Sequence, residues 1–198
     1  HSSNNREFKV YLLDREHNYK NGICAYCGEK EPLISGDWKP VPLSANENSE
    51  HLAYRIENGV LVFHDFGDPS AKDYGKLPDY TNGKDDQTDF DITEWYKEKS
   101  KITKVVFDET ISYIGSYILT NMDLISEIRI ENPKAEVVKN SVLFSTTARK
   151  TPLSIFASST IKTVDYWIRG NGNRKISAAI ENPTFYFTDL EHLVPELD

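Results

Sequence analysis

The sequence predicts an α+β, β-rich fold: a short leucine-rich-repeat solenoid, with a strand plus a turn or short helix in each coil, preceded by a β-hairpin cap. The main observation is an apolar pattern that occurs twice, with an offset of 23 residues. Its spacing, apolar-x-x-apolar-x-apolar, is typical of the strand segment of such a repeat. The two copies are Ile102, Val105, Phe107 and Ile125, Ile128, Ile130.

A hairpin signal is the second observation. Apolar residues alternate along residues 51–57 and again along residues 60–66, and Asn58-Gly59 lies between the two runs. This dipeptide favours a type I′ turn, because both central residues of that turn need a positive φ. We therefore expect two antiparallel strands upstream of the repeats.

A short helix is expected between the hairpin and the repeats. Asp91 has the residue type of a helix N-cap, and Glu94 follows three residues later as in a capping box. Trp95 comes next, and its size suits it to close the end of the repeat core. Residues 32–50 are rich in proline and small polar residues, which predicts a linker or long loop.

The repeats themselves continue in weaker form. Turn and short helical segments are expected to point two apolar sets inward, the second offset by 24 residues: Ile111, Ile114, Ile118, Leu119 and Ala135, Val138, Val142, Leu143. A third strand is predicted at 153–155, an amphipathic helix from Ile161 to Gly170, and a last strand at 185–187.

These signals divide the chain into four parts. Residues 1–35 form a small, turn-rich module with cysteine and histidine, and residues 36–98 hold the linker and the hairpin cap. Residues 99–180 carry the repeat coils and a closing unit, and residues 181–198 form a C-terminal extension.

Charge narrows the possible partners. The formal net charge is −8 and the sequence pI about 5.2. Nucleic acid is not expected as a partner, because binding phosphates requires a basic face. No run approaches the roughly 18 apolar residues of a membrane helix, so we expect no membrane-spanning segment. A signal peptide is absent from this chain, which opens with the polar stretch HSSNNREF.

The motif His17-x6-Cys24-x2-Cys27-Gly28 is the best candidate metal site. Two thiolates and one imidazole supply three of the four ligands of a tetrahedral zinc ion. The fourth is not evident; Asp14, Glu16 or His51 are candidates. The alternatives to structural zinc are a disulfide between the two cysteines and a pair of thiols.

Other polar groups suggest weaker sites. The acidic residues between 85 and 94 supply oxygen ligands for calcium but lack the spacing of an EF-hand, and a solvated loop with a helix cap explains them better. His64-Asp65 has residue types used in acid–base chemistry, with no nucleophile placed beside it. Five tyrosines are candidates for an exposed contact surface: Tyr74, Tyr80, Tyr96, Tyr113 and Tyr117.

The stretch ITKVVFDETISYIGSYILTNMDLISEIRI (102–130) resembles the BspA-like leucine-rich repeats of bacterial surface proteins, whose pattern includes an I-G pair, A-F, a Cys and a Leu. Ile114-Gly115 corresponds to the I-G pair, Leu119 to the Phe and Met122 to the Cys. Trp95-Tyr96 resembles the P-W-Y that precedes such arrays. The second repeat departs from the pattern, with Val138-Lys139 in place of I-G.

This resemblance implies a secreted or cell-surface bacterial protein that binds proteins or glycans in adhesion or host interaction. We expect no enzyme, since the chain shows no catalytic constellation. The expected recognition surface is the open face of the repeat strands, at the positions between the apolar ones: Lys104, Val106, Glu127 and Arg129. The alternative function is a structural spacer or capping domain of a larger surface protein, without a ligand of its own.

Overall fold

The computed structural model describes residues 19–20, 23–25, 27–80, 90–137, 151–158 and 184–187. The chain divides into two compact units, residues 1–32 and residues 33–198. In the smaller unit, strand β1 (Tyr19–Lys20) pairs antiparallel with β2 (Ile23–Cys24). A further antiparallel bridge joins Ile23 to Lys30.

The larger unit is built on a seven-stranded mixed sheet. In chain order its strands are β3 (Lys39–Ser44), β4 (Glu47–Glu57), β5 (Val60–Asp65), β6 (Lys104–Phe107), β8 (Glu127–Ile130), β10 (Ser154–Ala157) and β11 (Thr184–Phe187). Their spatial order is β11-β10-β8-β6-β5-β4-β3. The strands from β3 to β5 pair antiparallel, and those from β5 to β11 pair parallel.

The remaining elements are short. Strand β7 (Tyr113–Ile114) pairs parallel with β9 (Glu136–Val137) in a separate two-stranded sheet. A 3-10 helix spans Phe90–Ile92, and helix α1 spans Glu94–Lys97. No helix in the described part of the chain is long and apolar enough to cross a membrane.

The predicted fold class is wrong. The part of the chain that the structure describes is a mixed β-sheet with almost no helix, and not an α+β leucine-rich-repeat solenoid. The predicted helical segment after β6 is not helical, because Tyr117 and Asn121 have φ values of 57° and 53°. A right-handed helix cannot pass through such residues. The hairpin, in addition, is no separate cap, since β5 pairs directly with β6.

The 23-residue offset is confirmed as a strand register. Residues that share the offset lie opposite each other in the parallel pair of β6 and β8, for example Val105 and Ile128, or Phe107 and Ile130. Because paired residues point to the same face of a sheet, both apolar sets are buried on one side.

The hairpin prediction is confirmed. Strands β4 and β5 pair antiparallel up to Glu57 and Val60, and the turn between them is Asn58-Gly59. The two turn residues have φ values of 50° and 80°, as a type I′ turn requires.

The linker predicted at residues 32–50 is wrong in its second half, which forms β3 and the start of β4. Pro40 and Pro42 suggested a loop because proline lacks the N–H that a sheet ladder uses. Strand β3 is the edge of the sheet, where that N–H has no strand to bond. The register shifts at both prolines mark the local irregularity.

Trp95 is fully buried in the hydrophobic core, which is the core of a mixed sheet and not of a repeat solenoid. Its ring centre is 4.8 Å from that of Tyr54 and 5.2 Å from that of Phe63, both edge-to-face. Its indole N–H donates to the carbonyl oxygen of Ile118 at 2.9 Å, so the one polar atom is satisfied. The predicted cap residue is wrong, since Thr93 and not Asp91 precedes the helix.

Several predicted features lie outside the described residues. They are the helix from Ile161 to Gly170 and the inward positions Val138, Val142 and Leu143. The strands predicted at 153–155 and 185–187 correspond to β10 and β11.

Two glycines allow the effect of a positive φ to be distinguished from the effect of close packing. Gly36 and Gly75 have similar φ values, 66° and 69°. A Cβ on Gly36 would meet nothing within 4 Å, whereas a Cβ on Gly75 would overlap the carbonyl oxygen of Thr110. We expect Gly36→Ala to lower the free energy of unfolding by about 1 kcal/mol, and Gly75→Ala to lower it by about 1–3 kcal/mol more. Urea denaturation measures both; equal losses would contradict the close approach at Gly75.

Candidate functional site

One face of the seven-stranded sheet packs on the core, and the other, which we call the outer face, is accessible to solvent. Side chains alternate between the two faces along each strand, so cross-strand partners form rows. One row crosses five strands in register and is half-exposed or exposed throughout: Arg55, Val62, Val106, Arg129 and Phe156. We call these five residues the outer row.

Both arginines of the outer row lie over aromatic rings. The guanidinium carbon of Arg129 is 4.3 Å from the ring centre of Phe156, and that of Arg55 is 4.8 Å from the ring centre of Trp38. The negative faces of the rings attract the cations and hold the flat guanidinium groups against them. The outer row therefore presents apolar and cationic surface side by side.

Ion pairs position the charged side chains on and beside the outer row. Arg129 Nε donates to Glu127 Oε1 at 2.7 Å, and Lys104 Nζ lies 3.5 Å from the other carboxylate oxygen. The hydrogen bond from Arg129 lowers the pKa of Glu127 below its ordinary value, with a smaller contribution from Lys104. Glu127 therefore carries a negative charge at neutral pH and orients both cations.

All four residues predicted for the sheet face lie together on the outer face. Lys104 is the cross-strand partner of Glu127, and Val106 that of Arg129. The sequence reasoning missed Phe156, although it follows the buried Ile155 and must therefore point outward.

Arg55 and Trp38 were also missed. No local sequence signal connects them, because Trp38 lies just before β3 and Arg55 lies on β4. Arg55 Nε is buried and has no hydrogen-bond partner among the described residues. Buried polar atoms of this kind are uncommon in native proteins.

An aromatic cluster continues the outer face around Trp38. Its ring centre is 5.5 Å from those of His64 and Phe66. His64 Nδ1 is hydrogen-bonded to Asp108 at 2.5 Å. The adjacent pair His64-Asp65, considered for acid–base chemistry, is not a functional unit, because the two side chains point to opposite faces of β5 and have different partners.

Asp65 is a buried carboxylate that ties three segments together. Its oxygens accept hydrogen bonds from the backbone N–H groups of Gly67 and Gly75, and His51 Nδ1 lies 2.8 Å away. Several donors on one carboxylate satisfy its hydrogen-bonding capacity in the interior. The other ring nitrogen of His51 lies 3.4 Å from Asp73. His51, considered as a zinc ligand, is thus held between two carboxylates.

The two cysteines of the smaller unit lie on a tight turn. Cys24 is buried and Cys27 exposed, and both are thiols. A hydrogen bond to the backbone of Glu29 lowers the pKa of the Cys27 thiol, but the adjacent Cys24 thiol and desolvation together raise it above its usual value. Gly28, with a φ of 75°, closes the turn and donates to the Cys24 carbonyl at 2.9 Å.

A third metal ligand is not placed. His17 lies outside the described residues. Within the described part of the chain, no group of three or more histidine, cysteine, aspartate or glutamate side chains is arranged to hold a metal ion.

The predicted tyrosine surface is only partly exposed. Tyr80 is buried, and its hydroxyl donates to the Pro42 carbonyl at 2.7 Å. Burial raises the pKa of Tyr113 to about 12, and Asp79 adds to this by accepting its hydrogen bond. Of the acidic run, Glu94 accepts hydrogen bonds from Lys39 and Tyr54, and residues 85–89 lie outside the described part.

Comparisons with protein-family models, with curated proteins and with solved structures gave no match to this chain.

The role of Asp65 can be tested against a matched exposed residue. Asp68 is likewise a hydrogen-bond acceptor, from the backbone N–H and the hydroxyl of Ser70, but it is exposed. We expect Asp65→Ala to lower the free energy of unfolding by about 3 kcal/mol, because it strands buried donors. The loss in Asp68→Ala should be far smaller. Urea denaturation of both variants checks this, and similar losses would show that the buried network does not stabilise the fold.

Proposed function

We propose that the chain is a non-catalytic binding protein, and that the outer face of its sheet takes a protein ligand. The observation that carries this proposal is the outer row, in which two arginines stack on aromatic rings on either side of two half-exposed valines. Arginine and aromatic residues are enriched among the residues that contribute most to protein–protein affinity.

The shape of this surface favours a protein over a small molecule. Five strands at a spacing of about 4.8 Å make a row roughly 19 Å wide. Small molecules bind in concave pockets that cover most of their surface, whereas an open sheet face suits a broad partner. A glycan ligand is the alternative that the test below separates.

The polar groups support a binding role rather than catalysis. The carboxylate of Asp65 holds loop backbone, and that of Asp108 accepts hydrogen bonds from Thr110 as well as from His64. Both histidine–carboxylate pairs thus join segments of the fold. A secreted or cell-surface location, with a role in adhesion, accompanies the proposal because of the resemblance of residues 102–130 to repeats of bacterial surface proteins.

Loss of the Arg129–Phe156 pair should weaken recognition strongly. The probe is an array of extracellular host proteins and glycans, and the wild-type chain should bind one or more proteins on it. The double variant Arg129→Ala, Phe156→Ala should bind the same protein at least about 30-fold more weakly, since residues of this kind contribute about 2 kcal/mol or more. Surface plasmon resonance measures the change.

Leu124→Ala is the matched control, because Leu124 is exposed at 45% and lies outside the strands. It should bind as the wild type does. A double variant with unchanged affinity would overturn the outer face as the site. Binding to glycans alone would overturn the protein ligand, and binding to nothing would favour the structural spacer.

We also propose that the smaller unit holds a structural zinc ion through Cys24, Cys27 and His17. The two thiols interact directly, and a Cys-x-x-Cys turn closed by glycine has the residue spacing of zinc knuckles. Asp14 and Glu16 are nearby in sequence as a fourth ligand. Zinc would fix a unit whose described strands have only two residues each.

Metal analysis with thiol titration tests the zinc proposal. The purified chain should contain about one zinc ion per molecule, and its two thiols should react fully only after chelation. Cys27→Ser should lose the metal and leave the urea transition of the larger unit unchanged. A metal-free chain overturns the proposal; a mass lower by two hydrogens then identifies a disulfide, and two reactive thiols identify a dithiol.

A further inference from the structure

A cleft lies at the edge of the sheet, between strand β3 and helix α1. Its volume is about 440 Å³, within the range of small-molecule sites. We call it the edge cleft. The residues that matter for its chemistry are Lys39, Pro42, Asn48, Tyr54, Glu94 and Lys97. It is separate from the outer face, because the Tyr54 side chain that lines it belongs to the core side of the sheet.

Polar side chains that line the edge cleft are hydrogen-bonded to one another. Glu94 Oε2 accepts hydrogen bonds from Lys39 Nζ at 2.9 Å and from the Tyr54 hydroxyl at 3.2 Å. The hydrogen bond from Lys39 lowers the pKa of Glu94, and Tyr54 and Lys97 lower it further. The carboxylate is therefore ionised, and since both hydrogen bonds go to Oε2, the other oxygen can accept hydrogen bonds from a ligand.

The charge of the edge cleft is opposite to that of the chain. The cleft is lined by two ammonium groups, Lys39 and Lys97, and one carboxylate, Glu94. Because Lys39 is paired with Glu94, Lys97 supplies the excess positive charge, whereas the whole chain has a net charge of −8. An excess positive charge in a polar cleft attracts an anion. Asn48 and Ser44 add neutral donors and acceptors, and Pro40, Pro42 and Ile92 add apolar surface.

The prolines of β3 limit what kind of ligand can enter. A peptide that adds to a sheet edge uses the backbone N–H groups of the edge strand. Pro40 and Pro42 have none, so strand addition at β3 is blocked at alternate residues. Recognition in the edge cleft must therefore use side chains, which suits a small polar ligand.

We propose that the edge cleft binds an acidic sugar, a saccharide that carries a carboxylate. Lys97 would pair with the ligand carboxylate beside the Lys39–Glu94 ion pair, and Glu94, Asn48 and Ser44 would bond the ligand hydroxyl groups. The rings of the prolines and Ile92 would cover its apolar face. A sugar acid combines these three features, whereas a simple carboxylic acid lacks the hydroxyl groups and a neutral sugar lacks the charge.

Ligand titrations followed by two-dimensional NMR of the full chain test the proposal. The probes are D-glucuronate, N-acetylneuraminate, D-glucose and L-glutamate. At least one sugar acid should bind with a Kd in the millimolar range or below and shift the amide signals of residues around the edge cleft. Glucose and glutamate should each bind about tenfold more weakly, because each lacks one of the two recognised features.

Variants then locate the site. Lys97→Gln and Asn48→Ala should each weaken binding of the sugar acid by roughly fivefold to tenfold. Lys101→Gln is the matched control: Lys101 is exposed and pairs with Glu98 outside the edge cleft, and this variant should bind normally. Unchanged melting temperatures establish that the variants fold.

Three outcomes would overturn the proposal. They are the absence of binding by either sugar acid, equal binding of glucose or glutamate, and equal weakening by Lys101→Gln. A glycan with a terminal acidic residue, added as a further probe, separates a free sugar acid from a chain end as the natural source. Each of these results is independent of whether the outer face binds a protein.

Discussion

The burial of Trp95 is the interaction on which the rest of the sheet depends. Its ring packs edge-to-face on Phe63 of β5, and Phe63 stacks on Phe107 of β6 with the ring centres 5.2 Å apart. Strand β5 is the only described strand that pairs antiparallel on one side and parallel on the other. A buried tryptophan removes about 150–250 Å² from water, so this cluster contributes strongly to stability. Because Phe63 lies on β5, the cluster stabilises the strand at which the antiparallel and parallel halves of the sheet meet.

The outer face follows from the same constraint. Side chains alternate along a strand with a period of two, so that a slip by one residue would exchange the faces. Burying Phe107 and Ile130 on the core side therefore forces Val106 and Arg129 outward. Phe156 likewise points outward, because its neighbour Ile155 is buried. Arg129 and Phe156 therefore lie side by side on the outer face, with the guanidinium over the ring.

Sequence reasoning succeeded where the signal was local or strictly periodic. The Asn58-Gly59 turn needs only its own two residues, and the 23-residue offset places Val106 and Arg129 side by side without knowledge of the other strands. It failed where position in the sheet decides. The prolines of β3 predict a loop unless the strand is known to lie at the edge of the sheet. Trp38 and Arg55 are distant in sequence, and their contact exists only in the folded sheet.

The edge prolines also decide where this protein can be recognised. An exposed edge strand with free N–H groups invites pairing with other chains, and proline is one of the devices that prevents it. At β3, Pro40 and Pro42 have no N–H to offer a further strand, so this edge of the sheet is recognised through side chains more readily than through backbone. Both proposed sites, the outer face and the edge cleft, depend on side chains that the strands and α1 hold in place. The selectivity of both sites therefore rests on charge and ring geometry.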